Sequence, residues 1–194
     1  MAFTDVVFPA SDARLRIPVG VRVLLTVCAV VPAFLAGFGS WVLPALVVFD
    51  IVLATIALVD LETLKVPNRI LGPAYLAALP LLTIAALGSG DWDRLAWAFG
   101  SAVVVFALFF GLWAASPRSL GMGDVKLAPY IALHLGWIAP AAVVLGLFAG
   151  AAVAALAGAL AIQFWTGTWK SALPYAPFLA FGALIAQIVF LGGA

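Results

Sequence analysis

The sequence predicts an all-α protein, a polytopic bundle of about seven transmembrane helices whose N-terminus lies in the cytoplasm. Of its 194 residues, 66% are hydrophobic and only 9% are charged, and the mean hydropathy is +1.25. Because a soluble domain carries roughly 25% charged residues, this chain is too poor in charge to cover its own surface against water. Its apolar residues also form long runs that glycine, proline and serine interrupt. We therefore expect lipid to solvate most of the chain.

The first 19 residues are predicted to form a short cytosolic or interfacial lead-in. Two aspartates and two arginines interrupt this stretch, and Pro18 closes it, so it lacks the roughly 20 mainly apolar residues that a spanning helix needs. No small-residue cleavage site follows the first apolar run, which favours a retained span over a signal peptide. Residues 20–194 are predicted to form a single transmembrane domain.

Seven apolar segments follow one another along this domain. The fifth is short for a full span, which makes six spans the alternative count. The sixth is rich in small residues, and this composition predicts close helix packing with Gly150 to Gly158 as the contact face. The segments lie at about 20–38, 41–61, 69–88, 94–115, 125–139, 140–165 and 174–193.

The placement of charge predicts the orientation. With the N-terminus in the cytoplasm, every lysine and arginine except Arg94 lies at a cytoplasmic end, as the positive-inside rule requires. Trp41, Trp92, Trp97 and Trp137 lie near the proposed outer ends, as in an aromatic belt. The basic residues at the cytoplasmic ends are Arg14, Arg16, Arg22, Lys65, Arg69, Arg118, Lys126 and Lys170.

A single cysteine and a single histidine exclude several kinds of site. Cys28 can form neither an internal disulfide nor a Cys-x-x-Cys zinc site. His134 is expected to be a packing or interface residue, with the tuning of a nearby group as the alternative. No G-x-S-x-G motif surrounds a serine, which argues against Ser-His-Asp catalysis. The net charge of +1 gives no indication of nucleic-acid binding.

Three aspartates, Asp50, Asp60 and Asp124, are predicted to lie at membrane depth, where an acidic group is costly. Asp60 ends the second segment and Asp124 opens the fifth, so both are expected at the cytoplasmic rim. Two carboxylates brought close together share a proton, and such a pair can activate water against a peptide carbonyl and protonate the leaving amine. Gly121 and Gly123 would let the backbone bend beside Asp124 and let a substrate strand approach.

The residues alone leave alternatives open. Asp60 and Asp124 share a side with Lys65 and Lys126, so surface ion pairing would also explain them. Asp50 lies mid-span, about 15 Å along the helix from Asp60 and about 80° around it, too far to join the pair. It is expected to be a hydrogen-bonded carboxyl that packs helices, or else part of a functional polar cavity.

The surroundings of these aspartates resemble a known family. The stretch G-M-G-D-V-K-L, from Gly121 to Leu127, resembles the G-x-G-D signature of the type IV prepilin leader peptidases, which are membrane aspartic proteases. The stretch D-L-E-T-L-K-V-P-N, from Asp60 to Asn68, is similar to the family's aspartate at a helix end, followed by a basic loop and Val-Pro-Asn. The stretch P-Y-A-P-F-L-A-F-G, residues 174–182, resembles the proline-rich start of the family's last helix.

The resemblance implies that Asp60 and Asp124 are catalytic and need neither a metal nor an organic cofactor. It implies removal of the short basic leader from prepilin-like precursors at the cytoplasmic face of a bacterial or archaeal cell membrane. The expected partners are this protein substrate, the lipid bilayer and the pilus or secretion assembly machinery, with no nucleic acid. The other residues assigned to the site are Gly121, Gly123, Pro67 and Asn68, which shape the backbone, and Lys126 and Asp50 as auxiliary groups.

One departure from the family is informative. Its long members carry a cytoplasmic region with paired Cys-x-x-Cys motifs, associated with zinc and with methylation of the new N-terminus. This chain has one cysteine, so it resembles the peptidase-only members, and we expect no methyltransferase activity. Presenilin-like proteins also use G-x-G-D, but their other aspartate follows a tyrosine, whereas Asp60 follows Val59. The alternatives are a small transporter with Asp50, Asp60 and Asp124 as a proton or cation path, and a structural assembly subunit.

Overall fold

A computed structural model of the protein describes residues 17–116, 120–165 and 174–191. Over these residues it contains seven helices and no strand, which confirms the predicted all-α class. Most of the predicted lead-in lies outside the described residues, and so do four of the basic residues used to predict orientation, Arg14, Arg16, Arg118 and Lys170. The helices are α1 (Val19–Gly37), α2 (Leu43–Thr63), α3 (Asn68–Ser89), α4 (Trp92–Ala115), α5 (Met122–Ile138), α6 (Pro140–Trp165) and α7 (Ala176–Leu191).

The helix ends follow the breaker residues of the sequence. Helix α2 has a proline in its first turn, where a helix does not need the missing N–H. Helix α3 begins directly after Pro67 and ends at Gly90, whose φ of 77° is the left-handed conformation that glycine adopts without strain. All seven helices begin and end within three residues of the predicted segments.

The outer surface of the bundle is apolar. Four stretches are long and apolar enough to cross a membrane: α2, α3, α4 and residues 140–160 of α6. Large hydrophobic side chains on them point outwards, and Leu76, Val104 and Phe148 are each at least two-thirds exposed. A surface of this kind is stable against lipid and not against water. The fold is therefore that of a polytopic membrane bundle, while the number of spans and their orientation stay predictions.

Helix α5 lies in the middle of the bundle. Every residue from 127 to 137 is buried, and α2, α4, α6 and α7 all pack against it. A helix that is enclosed by protein on all sides does not need the lipid-facing surface of the others, which accounts for the short fifth segment. The aromatic-belt prediction is wrong for Trp137, which is 3% exposed inside this core, whereas Trp41, Trp92 and Trp97 are exposed.

Glycines bring α6 and α7 into close contact. A Cβ atom on Gly182 would collide with the backbone of Gly146 and Gly150, and one on Gly150 would lie 2.8 Å from the carbonyl oxygen of Phe178. Only residues without a side chain allow two helix backbones to approach in this way. The observed contact on α6 thus includes Gly150, which was predicted, and Gly146 one turn earlier, which lies outside the predicted face of Gly150 to Gly158. This packing fixes the position of α7, whose first residues enter the candidate site.

Candidate active site

Three helix ends meet at one end of the bundle, and each carries one of the sequence motifs. They are the end of α2 with Asp60, the start of α5 with Asp124, and the start of α7 with Tyr175 and Ala176. The motifs are far apart in sequence, so their meeting is a result of the fold.

Asp60 lies in the last turn of α2 and is only 5% exposed. The backbone N–H of Ala176 donates a hydrogen bond of 3.1 Å to its Oδ2 atom, and the backbone N–H of Tyr175 also lies against the carboxylate. These are the first N–H groups of α7, which lack partners within the helix and form the positive end of its dipole. Pro177 follows them and has no N–H to offer. The start of α7 is therefore a binding site for the Asp60 carboxylate.

Asp124 is the third residue of α5 and is half-buried. The two glycines before it have different roles. A Cβ atom on Gly121 would lie 3.1 Å from the Asp124 Oδ2 atom, and a Cβ atom on Gly123 would lie 2.8 Å from the Cβ atom of Val66. Gly121 thus leaves space for the carboxylate, and Gly123 lets the loop after α2 pack directly on the start of α5.

The two aspartates interact electrostatically. The charge of Asp60 acts on the Asp124 carboxyl, so the fold brings together the two groups that the sequence singled out. Two interacting carboxylates hold and release their protons as a pair rather than independently. A pair of this kind can take a proton from water and deliver one to a leaving group.

Tyr175 adjoins both aspartates and was not among the predicted site residues. Its backbone faces Asp60, and its side chain lies within the field of Asp124. Burial, and secondly the negative charge of Asp124, raises the pKa of the Tyr175 phenol, so the hydroxyl stays protonated as a potential donor. The signal in the sequence was its place in the P-Y-A-P stretch, which alone did not distinguish a site residue from a helix start.

The first turns of α3 are linked to α5 by polar contacts. Pro67 caps the start of α3 and Asn68 is the first residue of that helix. The Lys126 Nζ atom donates to the Asn68 Oδ1 atom at 3.3 Å, and the Tyr75 hydroxyl donates to the carbonyl oxygen of Lys126 at 2.8 Å. Nothing in its sequence surroundings marked Tyr75. These residues border a groove of about 370 Å³, which is lined by Asn68, Leu71, Gly72, Tyr75, Phe106, Lys126 and Pro129.

The chain turns sharply directly after the site helix. Leu64 has a φ of 53°, and its N–H donates to the carbonyl oxygen of Asp60 at 2.8 Å, which closes the end of α2. A left-handed conformation costs a residue with a side chain about 1–2 kcal/mol. Glu62 also belongs to the last turn of α2. It pairs with Arg22 of α1 at 2.5 Å and accepts a hydrogen bond from the Ile17 N–H.

Asp50 does not join this site. It is fully buried within the bundle, where Gln187 donates to it. Lys65 is exposed beside the site. Within the described part of the chain, no group of three or more histidine, cysteine, aspartate or glutamate side chains is placed to hold a metal ion.

Comparisons with known proteins identify the family of the chain. A family model described as the type IV leader peptidase family matches residues 46–192. A prepilin leader peptidase/N-methyltransferase of Bacillus subtilis (strain 168) is 32% identical over 167 residues, which are 85% of this chain and 63% of the relative. The chain thus spans less than two thirds of that relative's length. No solved structure matches the chain. Because the family model covers well over half of the chain, including all three motifs, the protein belongs to the type IV leader peptidase family.

Proposed function

We propose that the protein is a membrane aspartic endopeptidase that removes the short basic leader from type IV prepilin-like precursors. The observation that carries the proposal is that Asp60 and Asp124 lie at the same meeting point of three helix ends, close enough for the charge of Asp60 to act on Asp124. Membership of the family supports peptidase activity. The name of the Bacillus subtilis relative supports prepilin as the class of substrate.

The mechanism follows from a pair of carboxyl groups that share a proton. The ionised carboxylate takes a proton from a water molecule, which attacks the carbonyl carbon of the scissile peptide bond. The neutral carboxyl then protonates the amine as the carbon–nitrogen bond breaks. The start of α7 contributes backbone N–H groups that hold Asp60 in place and disperse its charge.

The proposed location is the bacterial or archaeal cell membrane, with the aspartates facing the cytoplasm. The distribution of basic residues along the sequence supports this orientation. A prepilin-like substrate would then keep its hydrophobic helix in the lipid while its basic leader reaches the aspartates from the cytoplasm. The pilus or secretion assembly machinery is the expected partner that uses the product.

We infer that this chain acts as a peptidase alone. The printed name of the relative combines peptidase and N-methyltransferase, but the present sequence has a single cysteine and no Cys-x-x-Cys pair. The cleaved product should therefore stay unmodified when it is incubated with the protein and a labelled methyl donor. Incorporation of label would contradict this inference.

Substitution of each aspartate tests the peptidase proposal. The protein is co-expressed with a prepilin-like precursor, and leader removal is followed by gel shift. We expect Asp60→Asn and Asp124→Asn each to slow cleavage about 10²–10⁴-fold, the range that general acid–base groups contribute. Asp91→Asn is the matched control, because Asp91 pairs with Arg94 between α3 and α4.

Two results would overturn the proposal. One is cleavage at the native rate by either site variant, and the other is an intact precursor with the native protein. The transporter alternative predicts a different result. Vesicles that contain the protein would carry a proton or cation current, and Asp50→Asn would abolish it.

A further inference from the structure

Four buried polar side chains form a group in the interior of the bundle, which we call the polar cluster. It consists of Asp50 on α2, Tyr130 and His134 on α5, and Gln187 on α7. All four are fully buried. The three helices that hold the cluster are the same three that carry the candidate active site.

Short contacts join these side chains. The Gln187 Nε2 atom donates to the Asp50 Oδ2 atom at 3.4 Å. The rings of Tyr130 and of Phe49, the residue before Asp50, have their centroids 5.7 Å apart. The Tyr130 and His134 rings have their centroids 4.7 Å apart. Phe49, the neighbour of Asp50, stacks on His134 with a centroid distance of 4.4 Å. The cluster is therefore one connected unit rather than four separate polar residues.

Each member of the cluster has a polar atom without a hydrogen-bond partner among the described residues. These atoms are Asp50 Oδ1, Tyr130 Oη, His134 Nε2 and Gln187 Oε1. A buried polar atom that is left unpaired costs about 1–3 kcal/mol. Because lipid rather than water surrounds the bundle, these atoms have no solvent nearby to pair with. Four such atoms in one cluster indicate a shared partner from outside the chain.

The chemistry of the four atoms defines that partner. The His134 Nδ1 atom lies 3.0 Å from the carbonyl oxygen of Tyr130, which can only accept, so Nδ1 carries the proton and Nε2 is an acceptor. The Gln187 Oε1 atom also accepts, whereas the Tyr130 hydroxyl can donate. The Asp50 Oδ1 atom accepts when the carboxyl is ionised and donates when it is neutral. A metal ion would satisfy only acceptors, but a water molecule both donates and accepts.

We propose that the polar cluster binds internal water, which bridges Asp50, Tyr130, His134 and Gln187. A buried water typically makes about three hydrogen bonds to polar groups that are otherwise unsatisfied, and the cluster supplies four. The water then joins α2, α5 and α7 through their middles, while the active site joins their ends. This assignment does not depend on the proposed peptidase function.

Radiolytic hydroxyl labelling in ¹⁸O water tests the assignment. The full chain is exposed in lipid nanodiscs, and labelled side chains are identified by mass spectrometry. A fully buried side chain is labelled only when a bound water lies beside it, so we expect label on Tyr130 and His134. The double variant Asp50→Leu/Gln187→Leu removes the carboxyl and the amide that would bind the water. Labelling of Tyr130 should fall severalfold in this variant.

Two further variants keep the test decisive. Thr55→Val is the matched control on α2, because the Thr55 hydroxyl donates to a carbonyl of its own helix, and this variant should label like the native protein. If the double variant does not fold, Tyr130→Phe replaces it, and labelling of His134 should fall. The proposal is overturned if Tyr130 and His134 stay unlabelled in the native protein, or if their labelling persists unchanged in the folded cluster variants.

Discussion

Asp60 and Asp50 lie on the same helix, and α5 and α7 flank both, yet their surroundings differ. Two backbone N–H groups at the start of α7 face Asp60, and a second carboxylate lies nearby. Asp50, a fully buried member of the polar cluster, receives the side-chain amide of Gln187 and the backbone N–H of Ala33, and it has no second carboxylate beside it among the described residues. Asp60 thus lies where helix ends meet, whereas Asp50 lies in the middle of α2.

The difference follows from how a helix uses its own backbone. In the middle of a helix the N–H groups are largely bonded to carbonyls already, so a buried carboxyl there depends on side chains such as Gln187. The backbone N–H of Ala33, which follows Pro32 in α1, is the exception at Asp50. At the start of a helix the first N–H groups are free, and they can hold a carboxylate with no side chain at all. Asp124 then needs space of its own near Asp60, and Gly121 leaves that space open beside the Asp124 carboxylate. A helix end can therefore hold an ionised carboxylate suited to catalysis, whereas the middle of a helix holds a carboxyl that is buried in the packing.

Removing one backbone donor gives the largest effect that we predict for this comparison. Ala176→Pro deletes the N–H that reaches Asp60 while keeping α7, because proline is well tolerated at the first position of a helix. A hydrogen bond to a charged group contributes about 1.5–3 kcal/mol, so leader cleavage should slow about 10- to 100-fold. The measurement is the cleavage rate at saturating substrate.

Ala176→Val is the control for this prediction, since it adds comparable bulk at the same buried position and keeps the N–H. Equal rates for Ala176→Pro and Ala176→Val would show that the start of α7 does not support Asp60. Backbone N–H groups at a helix start would then not distinguish Asp60 from Asp50.

A second prediction concerns the contact between the two motif loops. Gly123→Ala places a Cβ atom 2.8 Å from the Cβ atom of Val66, and overpacking of this kind costs about 1–3 kcal/mol. We expect a lower unfolding midpoint and slower cleavage. Adding Val66→Gly, which removes the opposing atom, should restore both.

The matched control for the rescue is Val66→Ala. It shortens the side chain but keeps the Cβ atom, so Gly123→Ala combined with Val66→Ala should stay impaired. Rescue by both second substitutions would show that the size of Val66, rather than this one close approach, limits the packing.

The sequence predicted the helices well because hydropathy and breaker residues are local signals. The ends of α3 at Pro67 and Gly90 illustrate this. The identities of Asp60 and Asp124 also came from local motifs and from the cost of acidic groups in lipid. Their catalytic role stays a prediction, whereas the structure does place the two carboxylates within reach of each other's charge.

Long-range packing was not predictable in the same way. The hydrogen bond from Ala176 to Asp60 joins residues far apart in the chain, and the helix that donates it packs on α6 through the close approach of Gly146 and Gly182. Hydropathy does not distinguish a helix surrounded by lipid from one surrounded by protein. For this reason the buried position of Trp137 was missed, and the sequence could not choose between the two interpretations of Asp50. The hydrogen bond from Gln187 shows that Asp50 is a bonded, buried carboxyl.

A third prediction concerns the strained turn at Leu64, which follows α2 close to Asp60. Among the described residues other than glycine, Leu64 alone has a positive φ. Leu64→Gly should relieve part of the left-handed cost, a gain of about 1 kcal/mol, and raise the unfolding midpoint. Leu61→Gly is the control, because Leu61 is 39% exposed against 40% for Leu64 but lies inside α2, where glycine destabilises by about 1 kcal/mol. A loss of stability in both variants would contradict the prediction.

The smallest expected effect concerns Lys126 and Lys65, the lysines near the candidate active site. The polar cluster contains no lysine or arginine. The Lys126 Nζ atom donates to the neutral amide of Asn68 at an exposed position. Water competes for both partners there, so the net contribution of this hydrogen bond is about 1 kcal/mol or less. Lys126→Met should therefore change the unfolding midpoint little and leave cleavage within a few-fold of the native rate. Lys65→Met, at the exposed neighbouring cation, is the parallel variant. If Lys126→Met abolished cleavage while Lys65→Met did not, the expectation would be wrong. Lys126 would then take part in the reaction together with Asp60 and Asp124.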